Sequence, residues 1–126
     1  MNFKWRLLHS CRQGLVQVFV LHQAAQGSVY GVKLRKLLHA WGYDISAGRL
    51  YPMLHAFEQG RLLASRVKIC QGRARKYYDI TDQGRTLLAE VQQELGGIVT
   101  EILSEEWNAS DKTSPQGPLC SVSQLR

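Results

Sequence analysis

Residues 45–54 read ISAGRLYPML, and whether they form a helix decides the fold. Leu50, Met53, Leu54 and Phe57 are spaced like one apolar stripe of a helix. Pro52 stands inside that run. A proline within a helix removes a hydrogen bond and crowds the carbonyl four residues back, here that of Gly48, itself a weak helix former. On a wheel of about 100° per residue, Gly48, Pro52, His55 and Gln59 fall opposite the stripe, flanked by Arg49 and Tyr51. The two weakening residues therefore share an outer face, where a glycine and a compact proline ring admit another molecular surface. Arg49, Tyr51 and His55 surround that face with hydrogen-bond donors, as a recognition helix entering a major groove requires. In the competing reading the helix begins at Pro52, whose ring suits a first turn, and the proline is only a start signal.

Upstream, residues 8–25 are apolar almost all round at Leu15, Val16, Val18, Phe19, Val20 and Leu21, which predicts a buried helix capped by Gly27. Ser28 is then expected to cap a second helix over 29–40, with Tyr30, Leu34, Leu37, Leu38 and Trp41 on its stripe and Lys33 and Lys36 away from it. A turn at 41–44 follows, and Ser46 caps the third helix, which ends before Gly60. Next, LLASRVKIC (62–70) alternates, with Leu63, Val67 and Ile69 on one side and Arg66 and Lys68 on the other. That is the period of a half-buried strand. Residues 71–74 turn the chain, and RKYYDI (75–80) returns as a second strand with Tyr77 and Tyr78 on opposite faces.

Thr81 followed by Asp82 is a start signal for a last helix. Along it Leu88, Val91, Leu95, Ile98 and Ile102 recur at intervals of three and four, a heptad seam. An isolated amphipathic helix gains little stability in water, so the seam asks for a partner surface. From Asn108 the periodicity is lost and Ser, Pro and Gly accumulate, which predicts a disordered tail. The predicted organisation is an N-terminal arm (1–8), a helix-turn-helix with a β-hairpin (9–80), a dimerisation helix (81–107) and the tail (108–126).

Charge supplies the first functional sign. Residues 1–80 carry 13 Lys and Arg against 3 acids, whereas residues 81–126 carry 3 against 7. From Gln59 to Tyr78 there is no acid, while Arg61, Arg66, Lys68, Arg73, Arg75 and Lys76 all fall there. A block of one sign in a folded region points to a polyanion partner. The 44% apolar and 21% charged composition is that of a globular chain, and no apolar run nears the roughly 18 residues of a membrane span. No signal peptide is read at the N-terminus. Three cysteines, Cys11, Cys70 and Cys120, with no CxxC, fit a reducing cytoplasmic setting and no disulfide framework; Cys70, with no resolving neighbour, reads as an inert thiol. The four histidines have no metal-ligand spacing, so no metal or other cofactor is expected. Enzyme chemistry lacks its parts: no nucleophile–base pairing, paired carboxylates or phosphate-cradling glycine loop is found.

Four motifs, VYGVKL (29–34), ISAGRLYPML (45–54), GRARKYY (72–78) and YDITDQG (78–84), occur in order. Together they resemble the PadR-like transcriptional regulators, whose typical pattern runs YGYEL, S-x-G-T-L-Y-P-x-L, G-R-P-R-K-Y-Y and Y-x-L-T-x-x-G. The resemblance spans about residues 12 to 105. It implies a winged helix-turn-helix, mainly α with a small β-hairpin, a C-terminal helix that dimerises, and usually a repressor. Tyr30, Tyr51 and the hairpin cations correspond to family DNA contacts. Two departures matter: Arg49 replaces a small hydroxyl, which implies an altered operator or a phosphate contact, and Ala74 replaces the hairpin proline.

The expected DNA-binding set is Tyr30, Lys33, Ser46, Arg49, Tyr51, Pro52, His55, Arg73, Arg75 and Lys76. Packing is the competing role for both tyrosines. The expected function is a cytoplasmic homodimer that binds an inverted-repeat operator in double-stranded DNA. Some members of the family bind small apolar or aromatic effectors between the helices of the dimer. Trp5 and Trp107 are the candidate pocket residues here, with interface packing the competing role for Trp107. Two other classes fit the same basic block: an RNA-binding winged helix, and an adaptor whose hairpin binds an acidic protein.

Overall fold

A computed structural model of the chain describes residues 2–110, with side chains through Ser104. The elements run α1 (Phe3–Gln26), α2 (Gly31–Ala40), α3 (Ala47–Gln59), β1 (Leu63–Cys70), β2 (Arg73–Ile80) and α4 (Asp82–Ser110). Among the described residues, those up to Ala89 form one compact unit and those from Glu90 a second. In the first unit Val16, Val20, Leu21 and Ala24 of α1 pack with Leu34 and Leu38 of α2, Leu50 and Leu54 of α3, Leu63 and Tyr78 of the hairpin, and Leu88 of α4. The order of three helices and an antiparallel hairpin is the expected winged helix-turn-helix, and the hairpin is its wing.

α1 starts earlier than its apolar core implies. The Asn2 side chain accepts from the backbone N–H of Lys4 at 2.7 Å and of Trp5 at 3.4 Å, capping a helix that begins at Phe3. The expected arm over 1–8 is therefore helical from its third residue. Nor is α1 buried all round: its covered residues lie on one stripe, and Leu15 is exposed.

α2 is not capped by Ser28. Val29 and Tyr78 exchange two backbone hydrogen bonds, N–H to carbonyl at 3.0 Å and 2.7 Å, which hold residue 29 extended against β2. Helix can begin only after that bridge, so Tyr30 is the N-cap and its carbonyl accepts from Leu34 N–H at 3.0 Å. Trp41, expected on the apolar stripe, falls past the helix end and is 73% exposed.

The wing closes through two residues. Gln71 and Gly72 both have positive φ, 53° and 77°, as a type I′ hairpin turn requires. Arg73 and Ala74, expected in the turn, instead pair with Cys70 and Ile69. Val67 and Ile69 were expected on a covered face but are 66% and 69% exposed. Burial reaches only the base of the hairpin, at Leu63 and Tyr78, because its outer rungs extend past the residues that cover them.

α4 begins as its sequence implies. Thr81 Oγ accepts from Gly84 N–H at 3.0 Å, and its hydroxyl lies 2.6 Å from the Arg61 carbonyl. Leu88 is a correction: at 6% exposed it belongs to the core of the first unit and has no free face to give to a seam. In the second unit Val91 and Leu95 are half-buried, and Ile98 and Ile102 are exposed. α4 runs through residues 108–110, where the tail was expected to begin. The rest of that predicted tail, 111–126, lies outside the described residues.

Candidate nucleic-acid interface

Pro52 lies inside α3, not at its start. Gly48, Pro52, His55 and Gln59 are all exposed, so the outer face deduced from the wheel exists, and helix initiation is not what Pro52 is for. Leu50 and Leu54, on the inner face, are fully buried and hold α3 in place. His55 and Gln59 contact one another across one helical turn, Nε2 to Nε2 at 3.3 Å. Ser46 takes the N-cap position but makes no side-chain cap bond, leaving its hydroxyl exposed at the helix start. Arg49 sits on the flank, lining a shallow depression with His9 and Arg12 of α1 and Tyr43 and Asp44 of the α2–α3 turn.

Tyr51 occupies the opposite flank, where α3 meets the start of α2. A Cβ added at Gly31 would overlap the Tyr51 ring and hydroxyl, so the residue is glycine because a ring lies against its backbone. Tyr51 is therefore packed on one side by the Gly31 backbone and remains 42% exposed. Lys33 is exposed in the first turn of α2.

Strand register sorts the wing cations by face. Cross-strand partners share a face, which places Arg66 with Tyr77, Lys68 with Arg75 and Cys70 with Arg73 on one side. Lys76 is on the other side, opposite Val67 and beside Ile69 and Ala74. Arg73 and Arg75 thus belong to one cationic face, whereas Lys76 turns toward α3, its Nζ 3.5 Å from Glu58 Oε1. The Glu58 carboxyl is held below its usual range first by the Ser65 hydroxyl and then by Lys76.

Tyr30 completes the cationic face. Its ring meets Tyr77 edge-on at 5.3 Å, and the Arg75 guanidinium stacks 4.3 Å above it. A guanidinium held over a ring keeps its N–H donors around its edge, a geometry suited to phosphate oxygens. Arg66 and Lys68 lie 5.5 Å and 5.9 Å from the Tyr77 ring centre. At the foot of this face Arg66 Nε donates to Asp79 at 2.9 Å, and the Ser28 hydroxyl donates to the same carboxylate. Asp79 is accordingly held below the usual carboxylate range, first by Ser28 and then by Arg66.

Ser28, Arg66, Lys68, Tyr77 and Asp79 were missing from the expected set. The alternation of β1 and β2 would have grouped four of them once the register was known; nothing in the sequence pairs Ser28 with Asp79. Trp5 is exposed and its ring stacks on His9 at 4.8 Å. The Trp107 side chain lies outside the described residues. Among the described residues no cluster of three or more His, Cys, Asp or Glu is placed to hold a metal, and no helix is long and apolar enough to cross a membrane.

Residues 20–90 match the family model of PadR-like transcriptional regulators. The chain belongs to that family. It is 38% identical over 92 residues to the transcriptional regulator Rv3488 of Mycobacterium tuberculosis, covering 73% of this chain and 86% of that one. The chain is similar in structure to a PadR family transcriptional regulator from Eggerthella lenta, with a TM-score of 0.66 at 30% identity, over 86% of this chain and 92% of that one. The PadR-like regulator of Bacillus cereus gives 0.66 at 32% identity, over 73% and 91%. PadR-like regulators act on transcription by binding DNA, which makes DNA the partner class for this basic unit.

Proposed function

We propose that this PadR-like protein is a cytoplasmic, homodimeric repressor that binds an inverted-repeat operator. α3 of each protomer enters a major groove with its Gly48–Pro52 surface, and His55 and Gln59 meet base edges. The exposed Ser46 hydroxyl and the flanking Arg49 and Tyr51 bond to the backbone beside that groove. Tyr30, Lys33, Arg73 and Arg75 bond to flanking phosphates, and Lys76 contributes from the other face of the wing. Val91, Leu95, Ile98 and Ile102 form the dimer seam, with Leu88 withdrawn from it.

The observation that carries this reading is the Arg75–Tyr30 stack, in the same compact unit as the exposed outer face of α3. It joins a phosphate-directed cation to the same unit that offers a groove-sized surface. The test is selection of bound duplexes from a random DNA pool, followed by gel shifts on the selected duplex and on structured RNA at physiological salt. Recovery of a palindromic site is expected. Preference for RNA would favour an RNA-binding winged helix, and salt-independent indifference to both would favour an adaptor for an acidic protein.

A further inference from the structure

Three successive residues of the α1–α2 loop each hold one residue of β2. Ser28 donates to Asp79, Val29 pairs with Tyr78 through two backbone bonds, and Tyr30 packs its ring on Tyr77. Arg66 closes the set, donating through Nε to Asp79 at 2.9 Å and through Nη2 to Ser28 Oγ at 2.8 Å. Asp79 is also the one acid on a wing face that otherwise carries Arg66, Lys68, Arg73 and Arg75. On a surface meant for phosphate an acid is a liability, since it cancels one cation and repels the ligand. Its presence calls for a compensating role.

We propose that Ser28, Arg66 and Asp79 form a latch that fixes the wing against the start of α2 before DNA arrives. They are positioning residues, acting through Arg75 and Tyr30, and Arg66 is not a phosphate contact despite its place in the basic block. Ordering the wing in advance removes an entropic cost from binding. On this face of the wing, phosphate neutralisation, and with it the share of the salt dependence the face supplies, is left to Lys68, Arg73 and Arg75. This inference rests on the DNA-binding reading above.

The test measures anisotropy of the full chain on a selected duplex between 50 and 200 mM salt. It uses wild type, Ser28→Ala, Ser28→Thr, Arg66→Ala and Arg75→Ala, each at a temperature where circular dichroism shows it folded. Ser28→Ala and Arg66→Ala should weaken binding by about three- to tenfold, the range of a net hydrogen bond, at every salt concentration. Their plots should run parallel to wild type. Ser28→Thr, which keeps the hydroxyl, should restore affinity, and Arg75→Ala should flatten the slope. Ser28→Ala binding like wild type would overturn the latch, as would Arg66→Ala flattening the slope as much as Arg75→Ala. A wild-type protein without salt-linked duplex affinity would instead remove the DNA-binding reading, and the latch with it.

Discussion

Arg75 and Lys76 are neighbours in the chain and alike in charge, yet the strand pleat sends them to opposite faces of the wing. Arg75 lies over Tyr30 and Lys76 near Glu58. Their replacements should therefore differ. Arg75→Ala should lower the salt slope of duplex binding by about 0.9, one phosphate's worth. Lys76→Ala should change it less and cost under about 1 kcal/mol of stability, since its ion pair is partly solvated. Titration of affinity against salt for both variants separates these outcomes. Asp79 makes a prediction about pH. Its carboxyl is depressed by Ser28 and Arg66, so its stabilising contribution is full above the ordinary carboxylate pKa and is lost as pH falls through the lower folded value. Acid denaturation of Asp79→Asn should show a shallower loss of stability in that range. The basic character of the wing could be read from composition. The separation of Lys76 from Arg75 needed only strand register, whereas the Ser28–Asp79 bond joins positions 51 apart, a distance no periodicity spans.

Among the elements, α3 was the most legible. Its inner stripe and its Gly48–Pro52 outer face follow from one repeat, and the structure selects the long helix over one starting at Pro52. The start of α2 was misread because a tertiary interaction overrides a local signal. Ser28 is a good capping residue, but its hydroxyl is taken by Asp79 and the next residue by the bridge to Tyr78. Gly31 follows from the same junction: Gly31→Ala would push the Tyr51 ring aside, and a loss of about 1–3 kcal/mol in denaturant unfolding is expected for such overpacking. The hairpin turn is shorter than its sequence implies, because Arg73 and Ala74 pair with Cys70 and Ile69. Gly72 sits at φ 77°, so Gly72→Ala should destabilise by about 1–2 kcal/mol, the cost of a side chain in the left-handed region. Thermal unfolding measures it.

For the whole molecule, the heptad repeat divides between two tasks. Leu88 seals the core of residues 1–89, while Ile98 and Ile102 leave apolar surface open in the second unit. Ile98→Arg should leave the fold of a protomer intact, since the side chain is already exposed, and shift sedimentation from dimer to monomer. An inverted-repeat operator would then lose the gain of two linked half-sites, about a hundredfold or more in apparent affinity. A dimer that persists in this variant would take the seam out of the account.

Patterns of period 3.6 and 2, a one-sign charge block and four ordered motifs were enough to determine the element order, the inner and outer faces of α3 and the family. These depend on residues near one another in the chain, whose geometry the backbone imposes. The tertiary structure decided which cations share a face, that Leu88 is core, that Val67 and Ile69 are uncovered, and that residues 28–30 grip the base of the wing. Each of those depends on what packs against a segment from far along the chain, and local periodicity carries no record of that.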